Sequence, residues 1–67
     1  MVEVELKTNL QTVLRLLETN ISPRRYWLHN KIGGTDWTVD LNHGKIHLSM
    51  ENEAKAVWVL LKLNQNT

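Results

Sequence analysis

Val2, Val4 and Leu6 alternate with Glu3, Glu5 and Lys7, the two-residue period of a strand with one face buried. Spacing then changes. Leu10, Val13, Leu14 and Leu17 recur at helical intervals, with Gln11, Thr12, Arg15 and Glu18 on the other side. Thr8 reads as the N-cap of this helix, with Gln11 completing a capping box, so a helix over about Asn9 to Thr19 is predicted. Asn20 suits its C-cap, and Ser22-Pro23 breaks the chain.

The stretch from Arg25 to Ile32 reads as a second strand, turned by Gly33-Gly34. Trp37, Val39 and Leu41 alternate with Thr38 and Asp40 in the next. Asn42-His43-Gly44 suits a hairpin turn, and Ile46, Leu48 and Met50 alternate beyond it. Ser49 is placed as the cap of a last helix, with Glu51 and Glu53 near its positive end. A strand over Val57 to Leu63 is the competing reading, but Glu-Asn-Glu-Ala-Lys-Ala is strong helix material.

These elements predict an α+β fold in strand, helix, three strands, helix order. The three strands form an antiparallel meander, covered on one face by the helices in a two-layer sandwich. In the last helix, Ala54, Val57, Trp58 and Leu61 are assigned inward, while Ala56, Val59, Leu60 and Leu63 lie mostly around the back. Lys55 and Lys62 mark its polar side. Trp37 and Trp58 are assigned to the core and Trp27 to the surface.

Length makes this one domain, residues 1–67, with a core that contributes no more than about 3–5 kcal/mol. No cysteine is present, which removes disulfides and thiolate zinc sites as supports and leaves oligomerisation. The amino-terminal residues do not read as a signal peptide, and the longest apolar run is too short to cross a bilayer. A cytoplasmic protein with no membrane partner is expected.

Eight Lys and Arg against seven Asp and Glu give a formal charge of +1, which argues against a polyanion-binding tail. The middle of the chain is mildly basic. With Leu28 inward, alternation sends Trp27, His29, Lys31, Thr38, Asp40, Lys45 and His47 to the open sheet face. Such a face is most simply a solvated one. Its functional reading is a ligand surface, joined by the Arg24-Arg25 pair as a phosphate clamp.

Catalytic chemistry has no footing. Ser22, Ser49 and the threonines lack a nucleophile's context, and Gly33-Gly34 lacks the rest of a phosphate-binding loop. His29, Asp40 and His47 have the types of a two-histidine, one-carboxylate site, but spacing does not supply the geometry, so neither metal nor cofactor is assigned.

Tyr26, Trp37-x-Val39-x-Leu41, Gly44-Lys45 with Leu48, and Glu53-Ala54 opening a helix together resemble one family of DNA-binding domains. This is the three-strand-plus-helix family of integrase arm-binding segments and plant ethylene-response factors, matched over about Arg25 to Leu61. The resemblance implies a sheet lying in the major groove. Its contacts would be Arg24, Arg25, Trp27, His29, Lys31, Thr38, Lys45 and His47. The helix–three strands–helix order is similar to double-stranded-RNA-binding domains as well, although Glu51 and Glu53 stand where those carry lysines.

Two functions follow as expectations. The first is a non-enzymatic protein-interaction module, homodimeric or bound to another protein, acting as adaptor, inhibitor or regulator. Val59, Leu60 and Leu63 are its assigned interface. The second is a DNA- or RNA-associated module using the open sheet face. Near-neutral charge places the first ahead.

Overall fold

The computed structural model describes residues 1–65 as a five-stranded antiparallel sheet with two helices. In chain order the elements are β1 (Val2–Leu6), α1 (Leu10–Asn20), β2 (Arg24–Leu28), β3 (Lys31–Gly34), β4 (Trp37–Asn42), β5 (Lys45–Met50) and α2 (Glu53–Gln65). The sheet order is β1-β5-β4-β3-β2, so the first strand joins the last and β2 forms the opposite edge.

The α+β class stands, and the expected meander is present in part: it has four strands, β2 to β5, and β1 joins its far edge. Arg25 to Ile32 is not one strand. It folds into the β2–β3 hairpin through a two-residue turn at His29 and Asn30, where His29 takes a φ of 53°. Asn30 then ties the hairpin inward. Its carbonyl accepts from the Leu41 amide at 2.8 Å, and its side-chain nitrogen donates to Asn42 Oδ1 at 2.7 Å.

Gly33 and Gly34, assigned to a turn, lie within β3 because large side chains occupy the space above them. A Cβ on Gly33 would overlap the ring of its cross-strand partner Tyr26. A Cβ on Gly34 would overlap the Trp37 indole and come within 3.0 Å of the Pro23 carbonyl. Here glycine serves close approach of aromatic rings.

Both helix caps shift from their expected positions. Asn9, not Thr8, caps α1: its Oδ1 accepts from the Gln11 amide at 2.7 Å. Asn52, not Ser49, caps α2, its Oδ1 accepting from the Lys55 amide at 3.0 Å; Ser49 stays in β5, paired with Glu3 and Thr38. Both caps are asparagines, whose short amide reaches the orphan amides of the first turn. Asn52→Ala should therefore cost about 1 kcal/mol. Thermal unfolding followed by circular dichroism should show a midpoint about 4–8 °C lower.

The core lies between one sheet face and the helices. Alternation and register place Trp37 and Val39 of β4, Leu48 and Met50 of β5, and Ile32 of β3 on that face, all buried. Val13, Leu14 and Leu17 of α1 and Ala56, Val59 and Leu63 of α2 close it from above. Val2, Val4 and Leu6 of β1 pack at one margin, half-buried. Trp37 is 2% exposed, and its indole N–H donates to the Ser22 carbonyl at 3.0 Å, so its one polar atom is satisfied inside. Lys55 anchors the start of α2 to Asp36 ahead of β4, Nζ to Oδ2 at 3.2 Å.

Candidate interaction surfaces

Val57 to Leu63 is helical, but the inward and outward stripes of α2 are exchanged relative to the sequence reading. Val59 and Leu63, assigned to an interface, are buried in the core at 0% and 6% exposure, and Leu60 is half-buried. Val59 and Leu63 are therefore closed to a partner, while Leu60 is partly open. Ala54, Val57, Trp58 and Leu61, assigned inward, are exposed, with Val57 at 50%, Trp58 at 38% and Leu61 at 56%. The core-facing stripe carries Ala56, Val59 and Leu63, while the one large aromatic of the helix, Trp58, stays outside.

The excess of apolar surface inferred for the last helix is therefore present, but on different residues. Positions 54, 57, 58 and 61 form one continuous stripe along the helix. The Lys62 ammonium sits 5.6 Å from the centre of the Trp58 ring, leaning its stem along the flank of that stripe.

The residues assigned to nucleic acid divide among three places. Lys31, Thr38, Lys45 and His47 share the open face, as register demands: Lys31 pairs with Asp40, Thr38 with Ser49, and Asp40 with His47. His29 sits in the β2–β3 turn. Trp27 is exposed, at 48%, but pairs with Ile32 and so lies on the helix side of the sheet. Leu28, expected inward, is 64% exposed at the end of β2, opposite Lys31. The register shift between Arg24 and Tyr26 is a bulge that brings Arg24 to the same side as Trp27. No turn signal at His29-Asn30 or bulge signal at Arg25 stood out in the sequence, so the phase of this strand was misread.

The open face carries little positive field. Glu3 and Glu5 of β1 and Asp40 of β4 share it with Lys31 and Lys45, three carboxylates against two ammonium groups. Lys45 Nζ lies 4.0 Å from Glu5 Oε1. Asp40 and His47 are cross-strand neighbours, but His29 stands apart in its turn. Among the described residues no three His, Asp or Glu side chains gather as a metal cluster.

On the helix side, β2 and α1 enclose a groove lined by Leu10, Leu14, Arg15, Glu18, Arg24 and Trp27. The Arg24 guanidinium lies over the Trp27 ring, 5.3 Å from its centroid, and Arg24 Nε is 3.9 Å from Glu18 Oε2. Every residue of β2 is exposed. As the edge strand it leaves one side of its backbone without a strand neighbour among the described residues. No described helix is long and apolar enough to cross a membrane. Comparison with known protein families, curated proteins and solved structures gave no match.

Proposed function

We propose that this chain is a non-enzymatic interaction module that pairs with a second copy of itself through the outer face of α2. The observation that carries the reading is the exposed stripe of Ala54, Val57, Trp58 and Leu61, on a helix whose opposite stripe already fills the core. Interfaces are built around aromatic anchors of this kind, and Trp58 is the natural centre. Packing two α2 helices antiparallel sets the acidic end, Glu51 and Glu53, beside the partner's Lys62 end and opposes the helix dipoles. A chain of 67 residues buries only about 60% of its unfolded surface, so a second copy adds cover that one protomer lacks.

The reading through the open sheet face, toward DNA or RNA, has less support, because carboxylates outnumber lysines there and would repel phosphate. Light scattering after gel filtration decides the first reading. Twice the 7.8 kDa monomer mass is expected. Leu61→Lys should weaken association by about thirtyfold or more, as loss of an interface anchor does, and return the protein to monomer. A monomeric parent at micromolar concentration would remove the proposal.

A further inference from the structure

The two edges of the sheet are treated differently. At the β1 edge, Glu3 and Glu5 alternate along the strand and are exposed, which deters other strands from adding there. At the β2 edge the charges are basic, Arg24 and Arg25, and are confined with the bulge to one end of the strand, which leaves the other end apolar. Tyr26 and Leu28 are exposed on one face and Trp27 on the other, at 38%, 64% and 48%. Beside the strand, Trp27 and Leu10, with the nearly buried Leu14, line the groove between β2 and α1.

We infer that β2 takes an extended, acidic segment of a partner protein as a sixth strand. Backbone pairing supplies a general part of the affinity, and alternate side chains supply the selectivity. One set of the incoming side chains enters the groove against Trp27, Leu10 and Leu14. The other set lies beside Tyr26 and Leu28. Charge specifies the occupant. Arg24 and Arg25 lie in the strand, Arg15 lines the groove beside it, and Glu18 is the one carboxylate among the described lining residues. Carboxylates between apolar residues of the incoming segment therefore meet cations, with Arg25 in the bulge best placed because it makes no ion pair among the described residues.

A second copy of β2 fits poorly. Antiparallel pairing would bring four arginines and no carboxylate into the two strands, and parallel pairing would set arginine beside arginine. This surface is separate from the α2 stripe, so the two proposals stand or fall independently.

The test is selection of random-sequence peptides displayed on phage against the full chain. The best binder is then titrated into isotope-labelled protein. Enriched sequences should alternate apolar residues with Asp or Glu, and the amides of Arg24–Leu28 should shift while those of α2 do not. Methylating backbone nitrogens at alternate peptide positions should abolish binding in one phase and spare it in the other, as strand addition requires. Arg25→Glu should weaken binding about tenfold. No enrichment, basic enriched sequences, shifts centred on α2, or indifference to the methylation phase would overturn the inference. So would a β2 already protected by a second copy before any peptide is added.

Discussion

Replacing Trp37 with alanine is expected to leave the chain largely unfolded at room temperature. The side chain is the largest of those fully buried, and it belongs to the core cluster that sheet and helices share. Removing a buried tryptophan costs about 3–5 kcal/mol, because cavity and transfer terms add. That matches the whole net stability available to a core of this size, about 3–5 kcal/mol. Two further losses follow. The Ser22 carbonyl loses its 3.0 Å hydrogen bond from the indole, and Gly34 loses the ring that covers it. Trp37→Phe keeps the ring but not the donor, and should retain a cooperative transition at reduced stability. Urea unfolding followed by circular dichroism checks both. A Trp37→Ala variant with near-parent stability would mean that the indole is not the centre of the core.

The second large effect separates the two stripes of α2. Val59→Lys places an ammonium at a fully buried position inside the apolar core cluster. An unpaired buried charge costs about 3–5 kcal/mol, so this variant should not fold. Val57→Lys changes a residue that is half exposed, two positions away. Its effect on the protomer should stay within about 0.5 kcal/mol, as surface substitutions do. Under the proposed pairing, its visible consequence is loss of the dimer. Comparing the urea midpoints and the masses of the two variants tests the helix phase directly. Equal stability of the two would contradict the assignment of Val59 to the core.

Much of the architecture was legible in the chain, and the exceptions have local causes. Helix α1, the strands β1, β4 and β5, and the turn at His43-Gly44 follow from alternation, helical spacing and turn residues. His43 and Gly44 indeed take positive φ. The β2–β3 hairpin was hidden because its turn uses His29-Asn30, while the stronger turn signal, Gly33-Gly34, serves two aromatic rings instead. Periodicity could not choose the phase of α2. Ala54, Val57, Trp58 and Leu61 and the set Ala56, Val59, Leu60 and Leu63 are both helical stripes of comparable hydrophobicity. The choice depends on contacts with residues distant in sequence, of which the Lys55–Asp36 ion pair is one. The exposed apolar surface of the helix lies on Val57, Trp58 and Leu61 instead of Val59 and Leu63.

The neighbour relation between β1 and β5 bears on how the chain assembles. Val2 sits across from Met50, so this seam joins segments separated by most of the sequence, whereas every other seam of the sheet links consecutive strands. Closing so long a loop carries the largest entropic penalty of any pairing in the molecule. During synthesis on a ribosome, the strand made first must wait for β5 to emerge before it can take its place.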